Sequence, residues 1–500
     1  MTLFLPKSRA ILPALAALMA LAGCSSPESR GPVVVDVVGK PAELAQPLRN
    51  ARRPTGEALL AASAQGLVRL DAAGQIRSGL AERWIVEDNS RAFIFRLQHI
   101  HWRNGDPIKS NEVARLLKAR LAANPDLTAG LKPTVRAITD QVIEIDLDAP
   151  LPNFLQLLAH PALAIARPEG GTGPMRKTRK GSGVVLEHAR SAAPEEQAEE
   201  DGADQSADGQ LPVHLYAVSK VSRSFVTFRG GRTDLVLGLR FQHLPYLAVA
   251  GIAKPYIRID PASGLFGLQI EGRSDFLKNR DTREILSMAI DRARITQLLA
   301  MPGWTASSSL LPGPLDTDQQ PAGPDWDSNG LAQRQGYAGS VVRNWTASNG
   351  TIAPLTIALP AGPGARMLYL ALARDYRRIG LTLRQVPWDS PADLRLIDET
   401  APFDSALWYL NRTGCRIDPT CAQDMEKALD EARNAPTSAD RAKALQAAYA
   451  TLMAANSYIP LGQPIRFALV STRLTGFHAS PQAVHPIDAL IRQPRNGVPN

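Results

Sequence analysis

Cysteine is scarce in this chain, with three residues in 500: Cys24, Cys415 and Cys421. So sparse a set excludes a small fold stapled by several bridges, and the core must come from apolar packing. Long apolar runs are scarcer still. The one extended stretch, Ile11 to Gly23, covers 13 residues, short of the roughly 20 that a membrane-crossing helix needs. Enzyme signatures are missing. The sequence has no G-x-S-x-G, no G-x-x-x-x-G-K and no H-E-x-x-H, so the nucleophile, phosphate and zinc chemistry they support has no local motif. The eight histidines are scattered, and only His99 and His101 lie close together. They flank an apolar position just before the turn at Asn104-Gly105, where polar residues belong in any case, and no metal or cofactor is expected. Charge of one sign is not concentrated either. The net charge of +8 falls to +6 without Lys7 and Arg9, and a surplus so diluted is no nucleic-acid footprint.

What is present suits a globular protein. Hydrophobic residues make up 44% and charged residues 21%, and the length argues for two or three domains. The first 23 residues have the plan of a secretory signal peptide: Lys7 and Arg9, an apolar core, then small residues. Leu21-Ala22-Gly23-Cys24 resembles a bacterial lipobox. That resemblance implies cleavage before Cys24, diacylglycerol on its sulfur, and a mature chain tethered to a membrane. An ordinary signal peptide with an incidental Cys24 is the other reading. In an oxidising compartment Cys415 and Cys421, in "GCRIDPTC", read as a disulfide, two free thiols being the alternative.

Periodicity places the chain in the α/β class. "VVVDVV" reads as a buried strand, "VIEIDL" (Val142–Leu147) alternates with period two, and "NEVARLLKARL" (Asn111–Leu121) has helical period. A strand at Leu355–Leu359 leads into a helix with Leu368, Leu372, Tyr376 and Ile379 on one face, capped by Gly380 and followed by a second strand. That is the spacing of a parallel crossover. "PVHLYAVSKVSRSFVTFRGGRTDLVLGL" is a comparable unit, with Val221, Phe225 and Phe228 on the helical face. Two more helices are expected: one from Asp281 through "DTREILSMAIDRARITQLL", with Asp281 and Glu284 as a capping box, and one from Ser438 aligning Leu445, Tyr449 and Leu452. Between Glu187 and Asp208 the chain carries eight acids against one arginine. Such a segment cannot offset its chain entropy by burial and is expected to be a disordered acidic insertion over 188–210. It serves either as a solvated surface loop or as a partner for the basic cluster Arg176, Lys177, Arg179 and Lys180.

Several motifs belong together. Gly66-Leu67-Val68, Gly74, Leu80-Ala81-Glu82 and Trp84 are followed by Phe95-Arg96-Leu97, Trp102, Gly105-Asp106-Pro107, Asn111 and Val113. "GTGPM" at Gly171–Met175, "TDLVLGL", "REILSMAIDRARI" and "YIPLG" come after, in order. From about Val33 to about Gly476 the chain resembles the extracellular solute-binding proteins that feed oligopeptide and dipeptide ABC importers. The resemblance implies a two-lobed, type II-like periplasmic binding fold with a ligand cleft between the lobes. It divides the chain into a signal peptide (1–23), a lipidated tether (24–32), a first lobe (33–262), a second lobe (263–475) and a C-terminal return to the first lobe (476–500). It further implies a monomer that catalyses nothing, captures a small solute and hands it to a permease and its ATPase from the periplasm or cell envelope, without nucleic acid. An oligopeptide is the leading solute class. The alternatives are a non-peptide solute on the same fold, or an envelope lipoprotein without a transport role.

The same resemblance nominates ligand residues. Gln65 and Leu67 fall in the first cleft-lining segment, where the family often has Glu in place of Gln65. Asp404, Trp408 and Tyr409 fall where a strand of the late lobe is expected to end at the cleft, Trp408 being either a ligand wall or core. The family's W-x-x-D-Y phrase is missing there. Asp418, on the cysteine loop, becomes the candidate partner for a ligand ammonium group, or else the cap of a turn.

Overall fold

A computed structural model describes residues 31–493 apart from 72, 190–210 and 273. The signal peptide, Cys24 and nearly all of the acidic insertion lie outside the described residues. The insertion does not begin at 188: His188 ends the strand Gly183–His188, and the Ala189 N–H donates to Pro174 O at 2.9 Å.

The strand Val33–Val38 sits inside a seven-stranded sheet, parallel to Val213–Val218 on one side and to Leu235–Arg240 on the other. Val33, Val35 and Val37 have no exposed surface, as a strand covered on both faces requires. The helix Val221–Arg229 carries the chain over the central strand, burying Phe225 and Phe228. The hairpin Met175–Lys180 and Gly183–His188 extends one side of this sheet, while Arg466–Val470 and Ile257–Ile259 complete the other. The chain thus returns to the first lobe at Arg466, ten residues before the expected boundary at 476. The reason is the pairing of Arg466–Val470 with Leu235–Arg240.

A five-stranded sheet forms the second lobe, in the order Leu383–Val386, Leu355–Ala358, Leu394–Thr400, Gly264–Ile270, Tyr458–Gly462. The unit built on the helix Pro363–Arg378 is a parallel crossover, with Leu355 opposite Leu383 and Leu368, Leu372 and Tyr376 buried. Gly380 has φ 88°, which a side chain would resist. A smaller antiparallel sheet (Ala81–Glu87, Ala92–Leu97, Val142–Asp146, Thr134–Thr139) belongs to the first lobe, with Phe93, Phe95, Ile143 and Ile145 turned inward by alternation.

One expected helix is two. Arg280–Met288 is capped by Asn279, whose side chain accepts from Asp281 N, and not by Asp281 itself. The helix Arg292–Leu299 then starts afresh, because the Asp291 carboxylate accepts from Arg294 N at 3.0 Å while Asp291 N donates to Asp375 Oδ2 at 2.9 Å. Local side-chain bonds of this kind compete successfully with helix continuation. Farther on, Pro419–Asn434 and Ser438–Ala454 form a helical pair. Ala406–Thr413 packs against Ser438–Ala454 and against the strand Gly264–Ile270. One apolar core therefore runs through both lobes, from Phe93 and Phe154 to Trp408, Leu429 and Tyr449. The large sheets are joined only by the short passages 260–263 and 463–465, and the site lies beside them.

Candidate functional site

Where the two sheets meet, a cavity of about 120 Å³ is enclosed by both lobes. Its floor is the end of the strand Leu235–Arg240 and the start of Arg466–Val470. Arg52, Glu57 and His160 line one side, Asp398 to Ala401 another, and Gln482 to His485 the mouth.

Most of these charges are already committed. Arg466 Nη1 donates to Asp398 Oδ1 at 2.6 Å, with side chains only 6% and 7% exposed. The Asp398 carbonyl accepts from Arg466 Nη2 at 2.9 Å and from Arg240 Nη1 at 3.2 Å. Glu399 is held by Arg412 Nε at 2.7 Å. Asp260 accepts from Ser480 N at 2.9 Å and lies 3.3 Å from His485 Nε2. The Arg466 guanidinium is the leading influence that lowers the Arg240 pKa, and burial adds to it.

Gln482, Glu57 and His160 are left facing the cavity, and the buried Gln482 Oε1 has no hydrogen-bond partner among the described residues. The Glu57 carboxylate forms no hydrogen bond to another described residue, and burial raises its pKa despite Arg240, Arg466 and Arg52 nearby. His160 Nδ1 accepts from Ala162 N at 3.1 Å, so the ring proton sits on Nε2. Burial, helped by Arg52, lowers its pKa to about 4, leaving a neutral donor. The wall therefore offers hydrogen-bond partners of both kinds in an enclosed space, the chemistry of a solute site.

The residues nominated from sequence lie elsewhere. Gln65 Nε2 donates to Thr172 Oγ1 at 3.1 Å in a recess next to the cavity, and Leu67 is core, 1% exposed. Asp404 does not end a strand. It sits on the outer rim, where its N–H donates to Gln156 Oε1 at 3.0 Å and its carboxylate accepts from Gln156 Nε2 at 3.2 Å. Its carbonyl accepts from Asn153 as well. Trp408 and Tyr409 are on the helix Ala406–Thr413, each 1% exposed and packed edge to face with centroids 4.9 Å apart. Ser405 explains the helix, because its side chain caps it by accepting from Leu407 N. Asp418 caps Pro419–Asn434 and pairs with buried Arg283 at 3.1 Å. None of these six lines the cavity. Cys415 and Cys421 are bonded across the start of the same helix, Cα to Cα 5.7 Å.

Sequence reasoning passed over Arg52, Glu57, His160, Arg240, Asp398 and Arg466. A usable signal existed for two of them. Asp398 closes the apolar run of "LRLIDET", and Arg466 interrupts "PIRFALV". A charge inside a buried strand demands a partner, and here each is the other's.

No protein-family model matches the chain. Among solved structures, the murein tripeptide binding protein MppA of Escherichia coli superposes with a TM-score of 0.75 at 17% identity, covering 93% of this chain and 99% of that one. The OppA of Haemophilus influenzae in complex with RPPGFSPFR gives a TM-score of 0.74 at 16% identity, covering 93% and 99%. The fold is that of the two-lobed periplasmic peptide-binding proteins. Among curated sequences, the oligopeptide-binding protein OppA of Bacillus subtilis is 20% identical over 284 residues, 50% of this chain and 52% of that one. Matches to curated relatives span between 22% and 52% of those proteins' lengths. Ligand pockets occur preferentially at domain interfaces, and the cavity beside the two passages lies at one.

Proposed function

We propose that this chain is the solute-binding component of an ABC importer. It captures a small solute of peptide chemistry in the interlobe cavity and delivers it to a membrane permease driven by an ATPase. The observation that carries this reading is the enclosed polar cavity next to the two passages joining the lobes. Hinge motion there opens and closes the site without disturbing either sheet. Relatives named for oligopeptide binding support the solute class. The protein acts as a monomer in the periplasm or cell envelope, held by lipid on Cys24, and binds without catalysis. Asp404, Gln156 and Asn153 bridge the lobes at the rim, and in this reading they favour the closed form without touching solute. Native mass spectrometry of freshly purified protein tests it. A bound species with the mass of a small peptide is the expected result. Protein that carries no ligand, and whose melting temperature no peptide raises, refutes the reading.

A further inference from the structure

The cavity is small and charges of both signs line it. About 120 Å³ is far below the roughly 300–1,000 Å³ of drug-sized sites. Arg52, Arg240 and Arg466 face Glu57, Asp260, Asp398 and Glu399.

The backbone beside the cavity is also occupied. An extended peptide held by strand addition needs a row of free main-chain donors and acceptors. Leu394–Thr400, which borders the cavity, is paired along one edge with all of Gly264–Ile270. Its other edge pairs with Leu355–Ala358 only at Leu394 and Arg395. From Leu396 to Thr400 that edge has no strand partner among the described residues. Two guanidinium groups reach in there instead. The Asp398 carbonyl accepts from Arg466 at 2.9 Å and from Arg240 at 3.2 Å, which uses both of its lone pairs. The Asp398 carboxylate anchors Arg466 in that position at 2.6 Å.

We infer that the cleft selects a compact solute, the size of an amino acid or dipeptide, and that Arg240 and Arg466 are specificity-determining residues that bar a longer extended peptide. This rests on the receptor reading above and narrows it. A peptide long enough to add as a strand must break two guanidinium–carbonyl bonds in a buried place, whereas a short zwitterion meets Glu57 and the His160 Nε2–H without disturbing them.

Titration calorimetry of the mature chain with L-alanine, dialanine and pentaalanine tests the inference. Alanine or dialanine is expected to bind at least tenfold more tightly than pentaalanine. Arg240→Gln, checked by circular dichroism, is expected to narrow that ratio at least threefold, a change that general loosening of the fold does not produce. Pentaalanine binding as tightly as dialanine overturns the inference. An unchanged ratio in folded Arg240→Gln removes Arg240 from the role. Should the variant not fold, the wild-type length series decides alone. If no probe binds wild type, the receptor reading fails first and the inference with it.

Discussion

Replacing Asp418 separates a residue that holds the fold from one that holds a solute. One carboxylate oxygen accepts from Cys421 N at 3.1 Å, capping the helix Pro419–Asn434, and the other meets Arg283 Nη2 at 3.1 Å. Arg283 is 1% exposed, and its remaining donors go to the carbonyls of Ala455, Leu277 and Lys278. Losing an N-cap costs about 1 kcal/mol. Losing a hydrogen bond to a charged group costs about 1.5–3 kcal/mol. Asp418→Ala removes both, so a loss of about 2–4 kcal/mol is expected. Asp418→Asn keeps a competent cap and loses only the charge, about 1–2 kcal/mol. Both should appear as a lower urea midpoint with unchanged slope. The acid limb provides a second check. The Cys421 N–H, aided by Arg283 and Arg280, holds the Asp418 pKa below its usual value. A carboxyl so shifted contributes fully above about pH 4 and loses its contribution as pH falls through the folded-state value. Wild type and Asp418→Asn should therefore converge in acid. Stability of Asp418→Ala within about 0.5 kcal/mol of wild type, the range of an ordinary surface change, would refute the structural assignment. So would lost solute affinity at unchanged stability.

Trp408→Ala should destabilise by about 3–5 kcal/mol, as large-to-small changes in a packed core do, and folded protein near neutral pH should keep its solute affinity by calorimetry. A stable variant with weakened binding would restore Trp408 to the cleft. Cys415→Ser with Cys421→Ser should cost about 2 kcal/mol in urea titrations, the chain-entropy value for so short a loop; no change would mean that the bridge constrains nothing. His160 is kept neutral down to about pH 4, while the unfolded chain takes up that proton from about pH 6.5. Stability should thus fall between pH 6.5 and 4 by up to about 3 kcal/mol, and an equally steep fall in His160→Gln would rule this out. Cys24→Ser should move the protein from membrane to soluble fractions, and continued membrane association would end the lipoprotein reading.

How much of this was legible beforehand depends on the range of the interaction concerned. The crossover at Leu355–Val386 could be read because strand alternation, an amphipathic helix and Gly380 are consecutive in the chain. The break between Arg280–Met288 and Arg292–Leu299 could not, since it turns on Asp375, which accepts from Asp291 N across 84 residues. Trp408 shows where local reading stops. An aromatic in an apolar segment reads equally well as ligand wall or core, and only the burial of Trp408 in the apolar cluster with Tyr409 and Tyr449 chooses core.

The sequence by itself determined the α/β class and most element positions, because these rest on periodicity, and the order of its motifs carried the resemblance to the family of folds. The tertiary structure alone decided the site. Arg466 and Asp398 lie 68 residues apart, Glu57 and Arg240 farther still, and no local propensity ties them together. They meet because the strand Arg466–Val470 returns to the first sheet next to Leu235–Arg240. Burial then leaves a charged side chain little choice but to find its opposite.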